Sequence, residues 1–145
     1  MSGTSFAERH LSRSADHRQT AERLFDTDEE WATVAYFYAC YRAVRAAFYA
    51  DERLNSDAGA RAVHPELTAS SRHVDFHNGH PSRGPGINDV VRFLYSQIHP
   101  EYELLHVRSN EVRYGAGITT GTLADSKALA DTVLAFLRDE DLISD

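Results

Sequence analysis

"EEWATVAYFYACYRAVRAAFYA", residues Glu29 to Ala50, decides the fold. One face of the stretch carries Trp31, Val34, Tyr38, Tyr41 and Phe48, and another carries Ala32, Ala35, Ala39, Ala43, Ala46 and Ala50. Apolar side chains therefore nearly encircle a helix, which is the pattern of an element buried on most sides. It is expected at the centre of the molecule, with its alanines letting a neighbouring helix approach closely and its tyrosine hydroxyls needing hydrogen-bond partners. Thr27 followed three residues later by Glu30 is a capping-box pattern and marks the start.

Toward the N-terminus, Ser5 with Glu8 repeats that pattern and opens a first helix. Its apolar stripe of Phe6, Leu11, Ala15, Ala21, Leu24 and Phe25 is loose, so it is expected to be peripheral with frayed ends, residues 1–4 being flexible. Toward the C-terminus, residues 55–86 gather glycine and proline and read as one long connection. Within it "HPELTASSRHVDFH" is expected to form a short helix starting at Pro65. "INDVVRFLYSQI" then places Ile87, Val91, Leu94 and Ile98 at helical spacing with Asn88 as a cap, until Pro100 breaks and restarts the chain. A fourth helix runs from Glu101 to about Tyr114 and ends at Gly115, "GAGITTGT" is a turn-rich linker, and residues 123–137 make a fifth helix. No strand pattern competes. The expectation is a single all-α domain over residues 1–145, an up-and-down bundle of about five helices with a long loop between helices 2 and 3.

Charge and motifs narrow the chemistry. A formal net charge of −7 with a pI near 5.5 is the wrong sign for a surface that holds polyanions everywhere, so any nucleic-acid contact must be local. The apolar run "WATVAYFYACY" stops at Arg42, far short of the roughly 20 residues of a membrane span. With a single cysteine, Cys40, and no secretory pattern at the start, the chain reads as cytoplasmic. No nucleophile elbow or phosphate-cradling glycine loop is present. His73 and His77 lie at i, i+4, near His80, but Val74 stands where a metalloprotease motif needs glutamate, and Gly79 and Pro81 break the helix. Neither a metal nor a cofactor is expected.

"HVRSNEVRYG", residues His106 to Gly115, concentrates the remaining polar chemistry. At about 100° per residue, His106, Asn110 and Arg113 share one helix face, with Glu103 one turn earlier. Arg108 lies off that stripe, and it and Tyr114 are about 120° out of line. Arg42 and Arg45, on the otherwise apolar second helix, either join this site or pair with carboxylates.

Taken together, "EEWATVAYFYACYRAVRAAFYA" and "YELLHVRSNEVRYG", in this order around the intervening loop, resemble the HEPN domain family. The second helix opens with Trp31, Ala32, Ala35, Phe37, Tyr38 and Ala39, and the later one closes with Ser109, Val112, Arg113 and Tyr114, over roughly residues 20–138. The resemblance implies a small helical bundle, a homodimer, and a metal-independent ribonuclease site between subunits built from an arginine, a polar residue and a histidine four to six positions on. Arg108 with Asn110 stands where the first two belong, and Tyr114 stands where the histidine would be, so a degenerate site is expected alongside an active one. Arg can hold a phosphate bidentately, whereas a phenol with a pKa near about 10 is a poor base at neutral pH. Spacing matches also occur at Arg72 with His77 and Arg92 with His99, and such matches arise by chance.

The first reading is therefore an RNA- or nucleotide-binding HEPN-like protein with Arg108, Asn110 and Tyr114 at the reacting centre and Arg113, Arg42, Arg45 and His106 on the ligand. The second is a non-catalytic module that binds a cognate partner protein in a bacterial toxin–antitoxin or defence system. A His-rich metal-binding bundle comes third.

Overall fold

The computed structural model describes residues 3–115 and 120–144, with no side-chain account of residues 3–5 and 120–122. Among the described residues there are six α-helices: α1 (Gly3–Leu24), α2 (Glu29–Ala50), α3 (Asp57–Val63), α4 (Ile87–Leu94), α5 (His99–Tyr114) and α6 (Ser126–Asp139). Short 3-10 turns cover Glu52–Leu54, Ala69–His73 and Thr120–Asp125. Among the described residues there is no strand, only one isolated bridge between His80 and Gly84. The chain is an all-α bundle.

As its pattern requires, α2 is the axis. Thirteen of its residues are buried, and Phe37, Cys40, Val44 and Phe48 are completely inaccessible. Its alanine face receives α1, whose Ser14 hydroxyl donates to the Ala39 carbonyl at 2.7 Å, a contact that only a small-residue surface permits. As a peripheral helix, α1 runs antiparallel along α2 after a connection of four residues, 25–28, and of its described side chains buries only His10, Ser14 and Ala21. The α2 start is shifted by one residue from the expected cap: Asp28, not Thr27, accepts from the Trp31 amide at 3.2 Å. Thr27 instead donates back to the Leu24 carbonyl, and Glu29 and Glu30 place negative charge at the helix N-terminus. Nor does Ser5 open α1, which is already helical at Gly3.

The connection over 55–86 is structured. Ser56 caps α3 by accepting from the Gly59 amide at 3.0 Å, and Asp57 reaches across to accept from the Ala69 amide at 2.9 Å. Ala60 and Leu67 are fully buried, so the segment is pinned to the core at two points. Pro65 therefore follows a helix and does not begin one, and His73 and His77 do not share a helical face. Gly86, not Asn88, precedes α4: its amide donates to Asp89 at 3.0 Å, and a Cβ there would meet the His77 carbonyl at 2.5 Å. Asn88 lies inside the helix and is buried.

Pro100 sits in the first turn of α5, where its missing N–H costs nothing, and Gly115 ends that helix. Gly115 is extended, with φ −84°, so glycine is needed there because a Cβ would come within 2.6 Å of the Glu111 carbonyl. The fifth expected helix starts as a 3-10 turn and becomes α-helical at Ser126, and part of the "GAGITTGT" linker, residues 116–119, lies outside the described residues. Tyr95 closes the far end of the core: its hydroxyl donates at 3.0 Å to Asp51, which also takes two bonds from the Arg53 guanidinium. Those bonds hold the Asp51 carboxyl below its ordinary range against the opposing cost of burial. No helix among the described residues is long and apolar enough to cross a membrane.

Candidate functional site

The face of α2 that carries Tyr38, Tyr41, Arg42 and Arg45 meets the end of α5 and the loop before α4. Arg113, in the last turn of α5, donates through Nη1 to the Tyr38 hydroxyl and through Nη2 to the Asn110 carbonyl at 3.1 Å. Its Cζ lies 5.2 Å from the Tyr38 ring and 4.8 Å from the Tyr114 ring. One turn apart on α2, Arg45 donates to the Tyr41 hydroxyl at 2.9 Å, and Arg42 and Arg45 both lie 5.6 Å from the Tyr41 ring. The Tyr38 and Tyr41 rings are 5.8 Å apart, edge to face, so the three guanidinium groups are threaded on one aromatic pair.

No carboxylate lies within ion-pair distance of Arg42, Arg45 or Arg113 among the described residues. Of the two alternatives their positions on α2 left open, pairing with carboxylates is not seen among the described residues. The Nε atoms of all three are buried and without a hydrogen-bond partner, which leaves donor capacity unspent.

Four histidines line this cationic field, and burial first, with the nearby charges second, lowers the pKa of each. Arg42 Nη1 donates to His10 Nδ1 at 3.2 Å, so that nitrogen must be an acceptor. Burial first, and then the charges of Arg45, Arg42 and Arg9, lower His10 to about 4. His106 falls to about 4 through burial, then His77 and Arg113. His17 and His77 are lowered in the same direction, each chiefly by burial, with Arg42 next for His17 and Arg113 next for His77. His77 and His106 lie 4.6 Å apart, centroid to centroid, and Phe37 stacks on His106 at 4.9 Å.

Of the residues singled out in the sequence, Asn110, Arg113, Tyr114, Arg42 and Arg45 come together, joined by His106 from beneath. His106 is 5% exposed; its Nε2 accepts from the Asn110 side-chain NH2 at 3.3 Å, which leaves the single proton of the neutral ring on Nδ1, 2.9 Å from the Asn88 side-chain amide. It orients Asn110 and does not reach a ligand. Arg108 departs altogether. As its angular position on α5 implied, it points to the opposite side, where it is 6% exposed and donates to Asp125 at 2.5 Å and to Ser126 at 3.4 Å. A guanidinium buried against a carboxylate cannot share a phosphate with Arg113.

Tyr38 and Tyr41, read as core, do pack against it; sequence reasoning missed their contacts with the guanidinium groups and the histidines of α1 and the loop. The signal was present as two aromatic–arginine pairs at i, i+4, Tyr38 with Arg42 and Tyr41 with Arg45. The third loop histidine and its neighbours do not assemble: His73 meets the Tyr49 hydroxyl at 3.0 Å, His77 faces His106, and His80 lies 2.7 Å from Ser82. Among the described residues no group of three histidine, cysteine or acidic side chains is arranged to hold a metal ion.

The chain matches no family model, no curated protein and no solved structure. What the site does must be argued from its own groups. Three guanidinium groups without a carboxylate partner among the described residues, flat rings and imidazoles of lowered pKa share this face.

Proposed function

We propose that this chain is an HEPN-like RNA- or nucleotide-binding protein in which Arg42, Arg45 and Arg113 hold the phosphates. One observation carries the reading: three guanidinium groups without a carboxylate partner among the described residues gather on one face of a chain whose net charge is −7. An acidic molecule repels polyanions at long range, so a local cationic face selects where an anion settles. Tyr114, 77% exposed beside Arg113, offers a ring on which a base stacks. The order of the two sequence blocks that resemble the HEPN family supports the same reading, and a homodimer in the cytoplasm is proposed with it.

Binding fits the groups better than cleavage. With Arg108 buried against Asp125, the arginine of the expected ribonuclease motif stands apart from the other cations. An imidazole lowered to about 4, like His106, is far from the pKa near operating pH that a general base needs.

The test is fluorescence anisotropy with a labelled single-stranded RNA at graded KCl without divalent ions. Arg113→Ala and the double variant R42A/R45A are expected to weaken binding about tenfold or more. Each lost phosphate contact should lower the salt slope by roughly 0.7, the value for single strands. Failure of the wild type to bind RNA or nucleotide at low salt, or wild-type affinity in these variants, refutes the reading. In the same buffer, no RNA cleavage above background is expected.

A second reading, a protein-interaction module, draws on the outer face of α5, where Leu104 is 39% and Val107 45% exposed at i, i+3. Light scattering of wild type and L104E/V107E decides it: an oligomer that the double variant dissociates favours association through this face.

A further inference from the structure

We infer that the ligand is a single strand of several nucleotides lying along the groove between α1 and α2, not a mononucleotide. The inference rests on the reading above for its first phosphate site and extends it by a second set of residues. On α1, Phe6, His10, Arg13 and His17 recur at intervals of four, three and four, which places them on one helical face. On α2, Tyr38, Arg42, Arg45 and Tyr49 recur at the same intervals. The helices are antiparallel, so the stripes meet in reverse order: Phe6 stacks on Tyr49 at 5.4 Å, His10 contacts Arg42, and His17 lies 5.8 Å from Tyr38.

Between them an open hollow of about 430 Å³ is lined by Phe6, Arg9, His10, Ser12, Arg13 and Arg42. Arg9 lies over the Phe6 ring at 4.7 Å, and both Arg9 and Arg13 are exposed without an ion pair among the described residues. Carboxylates flank both ends of this groove: Asp16 beside His17 at one, and Glu8 and Asp141, which share a hollow with Tyr49, at the other. Rings thus stand at both ends of the track, with guanidinium groups between them from Tyr49 to Tyr38.

The eleven steps from Tyr38 to Tyr49 along α2, at about 1.5 Å each, give a track of roughly 16 Å. At the roughly 3.4 Å rise of a stacked strand that is about five nucleotides, and fewer if the bases are splayed. Sequence-tolerant binding of single strands uses this pairing of cations for the backbone with flat rings for the bases. One nucleotide would leave the Phe6 end unused, and a duplex would keep its bases away from the rings.

The experiment measures affinities of the full chain for uridine monophosphate and for labelled oligouridylates of two, four, six and eight nucleotides, with the double variant R9A/R13A alongside. Circular dichroism confirms that these exposed changes leave the helices intact. Affinity is expected to rise at least tenfold from two to about five or six nucleotides and then level, and R9A/R13A is expected to flatten that rise. Equal affinity for the monophosphate and the hexamer overturns the inference while leaving the phosphate site standing. A length dependence that survives in R9A/R13A also overturns it, because the strand then runs elsewhere. Absence of binding to every length overturns both this inference and the reading beneath it.

Discussion

Acidifying the protein from pH 7 to pH 5 should cost it a large share of its stability through two imidazoles. His10 and His106 are lowered from 6.5 to about 4 in the folded chain, while in the unfolded chain they titrate at the ordinary value. A depressed folded pKa means that the unfolded state binds the protons first, so stability is intact above 6.5 and is lost as pH falls toward 4. At 1.36 kcal/mol per pKa unit, linkage gives a loss of roughly 2 kcal/mol for each ring by pH 5, or roughly 4 kcal/mol together. His17 and His77, shifted the same way, steepen the slope. The assay is urea denaturation at half-unit pH steps from 7.5 to 5, followed by circular dichroism. The variant H10Q/H106Q is compared by its slope with pH and not by its absolute stability. A wild-type midpoint that stays flat from pH 7 to 5, or an equal slope in the variant, would refute the reasoning that the guanidinium field and burial keep these rings neutral. A bound oligonucleotide supplies the missing negative charge, so the wild-type slope should be shallower in its presence.

Two further outcomes test the structure apart from its ligand. Asp125→Ala strands the buried Arg108 cation with only Ser126 at 3.4 Å and should cost about 2 kcal/mol in urea denaturation, whereas Arg108→Met, which removes the charge and keeps the volume, should cost less than about 1 kcal/mol. RNA affinity should be unchanged in R108M, and a loss there would return Arg108 to the site. Gly86→Ala drives a Cβ into the His77 carbonyl and the Asn78 carbon at 2.5 and 2.6 Å, both backbone atoms, so thermal denaturation should show a loss of about 1 to 3 kcal/mol.

The bundle was legible in the sequence because burial leaves a periodic trace. The ring of apolar residues around α2, the stripe from Ile87 to Ile98 and the break at Pro100 all place their elements within a few residues of the observed ends. The loop over 55–86 was opaque for the opposite reason: it is held by Asp57 on the Ala69 amide and by Arg72 on Asn55, contacts between polar residues with no repeat to betray them. The same contrast divides the candidate site. The spacing of His106, Asn110 and Arg113 on α5, and the displacement of Arg108 from it, follow from helix geometry alone. That Tyr38 and Tyr41, packed against the core, also face cations could not be read from their own helix, because an aromatic stripe looks the same whether it meets leucine or arginine. Only the docking of α1 and of the α5 end distinguishes the two.

The short connection between α1 and α2 has a consequence for how the molecule comes into being. Most of the proposed binding surface belongs to one helical hairpin whose paired residues are close in the chain, and low contact order favours rapid formation. The groove takes shape from the first fifty residues, and Arg113, supplied by the later half, locks onto Tyr38 only when the bundle closes. Recognition is thereby made conditional on completed folding: a chain interrupted before α5 carries the track without its anchor.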